Sequence, residues 1–186
     1  MSARPVYSRG VGTQVSTIEL FKEAMKFSAG HFTIFSETER ERLHGHNFTV
    51  YVALTGEVND NGMIANYRDF KDALFALCHA WNEYFLLPGA SPYLRLREEG
   101  ERLYATFAGE DIPFLKRDVL VLPVRNITVE ELARHMTERL LAERRLMADG
   151  RVHAITVKVS SGPGQSGSHR WTRAAADGTG EPRSVE

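Results

Sequence analysis

From His44 to Leu54 every second residue belongs to one series, His44, His46, Phe48, Val50, Val52 and Leu54, while Asn47, Thr49 and Thr55 take the other parity. A period of two is strand geometry, with one face turned to a core and the other to solvent. The chain must therefore build a sheet and something to cover one side of it. The series opens on two histidines, and side chains at i and i+2 of a strand share a face. A third histidine, His31, follows Ser28-Ala29-Gly30 on a segment with its own alternation. His31, His44 and His46 can thus converge from neighbouring strands on one metal ion. Three imidazoles leave a fourth position open, which is the arrangement of a catalytic zinc and not of a structural one. Four of the seven histidines lie elsewhere, so histidine is not simply abundant.

The chain has 186 residues, 42% of them hydrophobic, enough to bury one core as a single domain with an elaboration. With 23 basic and 24 acidic residues interspersed and a net charge of −1, there is no cationic surface for nucleic acid. The expected partners are small molecules or further copies of the chain. The lone Cys78 cannot close an internal disulfide, the first residues lack the apolar stretch of a signal peptide, and no apolar run could span a bilayer. A soluble, cytoplasmic protein is expected, without membrane partners.

Residues 1–14 have no periodicity and read as an N-terminal arm; residues 15–171 read as one domain. Val15 to Thr33 is mostly extended, with Phe21, Met25, Phe27, Ala29 and His31 on one parity, although Glu19 and Glu23 share it. Asn59-Asp-Asn-Gly62 is a turn. Between Tyr67 and Phe85, the residues Tyr67, Phe70, Leu74, Leu77, Cys78, Trp81 and Phe85 trace one helical stripe that places Cys78 in the core. A second helix is expected from Val129 to Met147, opened by a Thr128–Glu131 capping box, buried along Leu132, Met136 and Leu140 with Arg139 and Glu143 at the margins, and stopped by Gly150. Ala154 to Ser160 alternates again and reads as the final core strand. Residues 89–125 hold an inserted hairpin, Tyr93–Leu96 and Leu103–Phe107 around Glu98-Glu-Gly100, followed by a short extended segment at Val119–Val124. Residues 172–186 have the composition of a disordered tail.

Four segments in order, Phe27-Ser-Ala-Gly-His31, Leu43-His-Gly-His-Asn-Phe48, Met63-Ile-Ala-Asn-Tyr67 and Asn126-Ile-Thr-Val-Glu-Glu-Leu-Ala133, resemble the 6-pyruvoyl-tetrahydropterin synthase and 6-carboxy-tetrahydropterin synthase family. The resemblance implies an α+β tunnelling fold: an antiparallel four-stranded sheet with two helices on one face in the order ββααββ, here with the inserted hairpin. It implies homo-oligomers, trimers or hexamers, in which the sheets close into a barrel. It also implies a Zn2+ ion that polarises side-chain oxygens of a pterin, so that side-chain protons leave more easily.

The departures from the family's pattern bear on chemistry. Where the family carries a cysteine, this chain has Arg40, which cannot act as a base. Glu39 and Glu41 flank it, some relatives use a glutamate in that role, and a one-residue shift of the loop could present either carboxylate as a base if burial raises its pKa. Where an Asp-His pair is expected, Asn82 and Glu83 stand. Ser161 replaces the glutamate that anchors the pterin ring, and a hydroxyl offers no bidentate acceptor. Candidate catalytic residues are therefore Glu41, Glu39 and Glu83, and candidate substrate contacts are Thr128 and Ser161. Three functions follow: a divergent zinc-binding homologue whose usual synthase activity is absent or changed, a zinc-dependent lyase using a glutamate for the cysteine, or a non-catalytic ligand-binding or structural homologue. The set of replacements favours the first.

Overall fold

A computed structural model describes residues 13–174. The strands are β1 (Val15–Leu20), β2 (Lys26–His31), β3 (His44–Glu57), β4 (Tyr84–Pro88), β5 (Arg95–Glu99), β6 (Arg102–Phe107), β7 (Glu110–Leu115), β8 (Val119–Leu122), β9 (Val152–Gly162) and β10 (Gln165–Thr172). The helices are α1 (Tyr67–Trp81), α2 (Val129–Ala142) and the one-turn α3 (Arg144–Met147). No helix among the described residues is long and apolar enough to cross a membrane. The expected arm lies outside the described residues up to position 12, and the expected tail lies outside them from position 175.

The long β3 organises the molecule. Its buried residues Phe48, Val50, Val52 and Leu54 join Phe27 and Ala29 of β2 and Ile155, Val157 and Val159 of β9 in one core, which Phe70, Leu74, Cys78 and Trp81 of α1 and Leu132, Met136 and Leu140 of α2 cover from above. This is the two-layer solution for strands with one apolar face. The antiparallel set expected from the sequence is present, with β10, β9 and β3 in order and both β1 and β2 along the remaining edge of β3. The sheet as a whole is mixed, because β4 joins β2 in parallel and β8 joins β4 in parallel.

Several expected elements have different bounds. Val15–Thr33 is not one strand: the chain leaves β3 after Leu20, turns through a Met25 N–H to Lys22 C=O bond of 2.8 Å, and rejoins it at Lys26. Phe21 therefore lies on the surface, 68% exposed, despite its parity. The first helix stops at Trp81, and Phe85 belongs to β4. Leu86 of β4 packs under the helices and Leu87 against the insertion, so this strand is buried on both faces and reads as a continuous apolar run that periodicity cannot tell from a helix end. The second helix breaks at Glu143, and Arg139 and Glu143 are exposed. Thr128 accepts the Glu131 N–H as a cap should, but the Glu131 carboxylate takes the N–H of Arg125 rather than closing the box.

The insertion is a three-stranded meander, β5-β6-β7, not a hairpin. Ala108 and Gly109, at φ 49° and 84°, form the two-residue turn that adds β7. Pro113 hides β7 as a strand in the sequence, yet it is an edge strand, where proline is tolerated. Finally, β9 is not the last core strand. β10 follows it, hidden in the sequence because its inward residue Gly167 is small.

Candidate metal centre

The pairing of β2 with β3 sets His31 opposite His44 and Ala29 opposite His46. Since His44 and His46 are two apart, the three rings gather on the core-facing side at one end of the sheet. Ring centroids are 4.5 Å apart for His31–His44, 5.2 Å for His31–His46 and 4.9 Å for His44–His46. One nitrogen from each ring lies within 4.8 Å of the other two.

Hydrogen bonds on the far side of two rings settle which nitrogen is free. His31 Nδ1 lies 3.0 Å from the carbonyl of Ile127 and His44 Nδ1 lies 2.8 Å from that of Arg42. A carbonyl only accepts, so each Nδ1 carries a proton and each Nε2 is the nitrogen left to face the other rings. His31 Nε2 is buried and has no hydrogen-bond partner among the described residues. Burial, with His44 and then His46 nearby, lowers the His31 pKa to about 4, which keeps the ring neutral at ordinary pH. Three converging imidazoles, two of them oriented from behind by carbonyls, are a donor set that suits a divalent ion. An unpartnered buried nitrogen is otherwise costly, and a bound cation would relieve it. The residues fit a zinc ion, though imidazoles accept other divalent metals as well.

The histidines open into a cavity of about 310 Å3. Glu41 lines it: a carboxylate oxygen accepts the Thr33 N–H at 2.9 Å and stands 3.8 Å from His44 Nε2. Burial alone would raise the Glu41 pKa, but the Thr33 bond and the imidazoles hold it below the ordinary carboxylate value. Thr128 and Ser161 line the same cavity, so four of the expected site features meet there: the histidine triad, Glu41, Thr128 and Ser161.

Glu39 does not join them. It is exposed, and its contribution is a backbone carbonyl that accepts the N–H groups of Phe35 and Ser36. Glu83 does not line this cavity; it lies at a second depression, which also touches Gly45 and His46, and holds a left-handed φ of 66° while its N–H donates to Ser28 C=O at 2.7 Å. Asn82 is engaged structurally, accepting the Ser28 N–H at 2.8 Å. Cys78 is buried, with its thiol pushed up to about 12 by burial, and is not among the residues that line this cavity. Sequence reasoning missed Ile127, whose carbonyl orients His31, and Glu130 and Gln165, which line the cavity. Nothing in the spelling of the chain marks a backbone carbonyl. Gln165 could have been suspected from its place just beyond Ser161 and the Gly-Pro-Gly turn.

A family model described as 6-pyruvoyl tetrahydropterin synthase matches residues 19–170. A Methanocaldococcus jannaschii protein provisionally assigned as a 6-carboxy-5,6,7,8-tetrahydropterin synthase is 22% identical over 147 residues, which is 78% of this chain and 90% of that one. A Pyrococcus abyssi protein with the same assignment is 28% identical over 147 residues, 74% of this chain and 81% of its own. Among solved structures, 6-pyruvoyl tetrahydropterin synthase from Plasmodium vivax is 24% identical and superposes with a TM-score of 0.81 over 86% of this chain and 99% of its own. That protein has also been solved with a catalytic glutamate changed to cysteine. Because the family match begins within β1 and ends within β10, taking in both long helices and all three converging histidines, the chain belongs to the 6-pyruvoyl tetrahydropterin synthase family.

Proposed function

We propose that this protein is a divergent zinc-dependent lyase of the family, in which Glu41 takes the part of the family's cysteine as the proton-accepting group. The observation that carries the reading is the Glu41 carboxylate 3.8 Å from His44 Nε2, inside the histidine-lined cavity. Bound there, zinc supplies a Lewis acid for hydroxyl or carbonyl oxygens of a substrate side chain. His31 and His44 hold fixed tautomers through Ile127 and Arg42. Glu41 removes a proton from the adjacent carbon or oxygen, kept in position by the Thr33 N–H. Support also comes from the Plasmodium vivax synthase, where a glutamate is a catalytic residue.

The ring end of the ligand is where the reaction is altered. Ser161 stands there in place of the family's anchoring glutamate, beside Thr128, Glu130 and Gln165, so the ligand is a pterin held differently or a related small heterocycle. We read Glu83 and Glu39 as having no part in this cavity. We also infer a homo-oligomer, a trimer or a stack of two, since one face of the sheet is without helices, and a cytoplasmic setting, where Cys78 remains a thiol.

Zinc-loaded protein incubated with dihydroneopterin and with dihydroneopterin triphosphate should release a product from at least one. Glu41→Gln should lower kcat about 100-fold or more with zinc content unchanged. Absence of turnover with both compounds and of pterin binding at millimolar concentration would overturn the reading.

A further inference from the structure

We infer that Arg40 is a positioning residue for Glu41 and that the β5–β7 insertion is the device that holds it, so that the insertion forms part of the site. This rests on the reading of Glu41 given above. Residues 32–42 form a hairpin: Ile34 and Arg40 make an antiparallel bridge, Glu41 N–H donates to Thr33 C=O at 2.9 Å, and Phe35 N–H donates to Glu39 C=O at 2.8 Å. Consecutive residues of an extended segment point to opposite sides. Glu41 turns to the histidines, and Arg40 turns to the insertion.

There the guanidinium carbon lies 5.2 Å from the ring centre of Phe32 and 5.7 Å from that of Phe107. Its Nη1 donates to the Glu41 carbonyl at 2.8 Å. Arg40 makes no ion pair among the described residues, so these rings and that carbonyl are what it serves. Phe107 is the last residue of β6 and is buried with Phe32, Ile34, Leu87 and Leu103 in a second apolar cluster distinct from the main core. The cluster joins the insertion directly to the hairpin that carries Glu41.

The opposite side of the hairpin is tied as well. Asn126 accepts the Ile34 N–H at 3.1 Å and donates its amide to the Ile34 carbonyl at 2.7 Å, and the next residue, Ile127, orients His31. Glu41 and His31 are therefore referred to one backbone segment, with Arg40 closing the arrangement from the insertion. A planar guanidinium can lie against two rings and still donate in its own plane; an ammonium cannot do both. The arginine at the position of the family's reactive residue thus acts through its neighbour.

The test compares Arg40→Lys and Phe107→Leu with the wild type, all zinc-loaded, by steady-state kinetics on dihydroneopterin and its triphosphate and by hydrogen exchange at the Glu41 amide. Each variant should lower kcat about tenfold or more with KM within twofold, keep full zinc content, and speed exchange of the Glu41 amide at least tenfold. Unchanged kcat in both variants, or a loss confined to KM, overturns the inference. If no pterin is turned over by the wild type, the proposed function fails, and the exchange measurement still decides: an unaltered Glu41 amide refutes the clamp, while a tenfold acceleration upholds the positioning. Should Phe107→Leu fail to fold, Arg40→Lys alters only a partly exposed side chain and carries the same comparison.

Discussion

At the scale of single residues, three imidazoles account for most of what can be measured. Among the described residues His46 makes no hydrogen bond like those of His31 and His44, so its replacement removes a candidate ligand without breaking a hydrogen bond. His46→Ala should reduce bound zinc from about one equivalent to less than a tenth, with the circular dichroism spectrum of the metal-free fold unchanged; elemental analysis after dialysis checks this. His31 also gives the metal-free protein a pH signature. In the unfolded chain it takes up a proton near 6.5, but in the folded chain only near 4, so the unfolded state binds the extra proton between these values. Stability is unaffected by this group above pH 6.5 and falls as pH drops from 6.5 to about 4, by an amount of the order of 3 kcal/mol. Urea titrations of metal-free wild type and His31→Asn across that window should diverge, the variant losing the His31 share of the slope and keeping that of buried His135, whose pKa burial also lowers. The convergence of these histidines was legible because side chains at i and i+2 of a strand share a face, which needs only the alternation. Glu41 and Glu39 were not separable, since choosing between neighbours depends on which way a hairpin is wound.

At the scale of elements, the start of α2 matters most, because Thr128 and Glu130 of its first turn line the cavity. Arg134 first, and Arg125 second, hold the Glu131 carboxyl at about 2, with the side chain 10% exposed. A depressed carboxyl stabilises the fold above its unfolded value near 4.5 and ceases to do so as pH falls towards 2. Glu131→Gln should therefore cost about 2 kcal/mol at pH 7, with the difference vanishing at about pH 2, as denaturant midpoints would show. Gly167 of β10 meets the same turn: a Cβ there would stand 2.6 Å from the Glu130 nitrogen and 2.8 Å from the Val129 carbonyl carbon. Both atoms are backbone and cannot swing aside. Gly167→Ala should cost about 1–3 kcal/mol and lower the melting temperature correspondingly. The helices and β3 were legible through their periods. β4 was not, since burial on both faces erases alternation, and β10 was not, since its inward position is filled by backbone approaching backbone.

At the scale of the whole molecule, helices cover one face of the sheet, while the insertion covers the opposite face only at the β4 end, through Phe85, Leu87 and Val119. If the uncovered remainder is the oligomer surface proposed above, sedimentation equilibrium should return a multiple of three times the 20.9 kDa chain. A monomer at micromolar concentration would count against that part of the reading. Alternation and helical spacing by themselves determined the sheet-and-helix architecture, the buried side of each long element and the histidines able to share a metal ion, because these are local periodicities that each segment satisfies alone. Only the tertiary structure decided that Glu41 and not Glu39 faces the histidines, that Glu83 lies elsewhere, that Ile127 orients His31, and that the insertion reaches back to the site through Phe107 and Arg40. Those outcomes depend on contacts between residues far apart in the chain, whose free energies come from register and packing that no local pattern encodes.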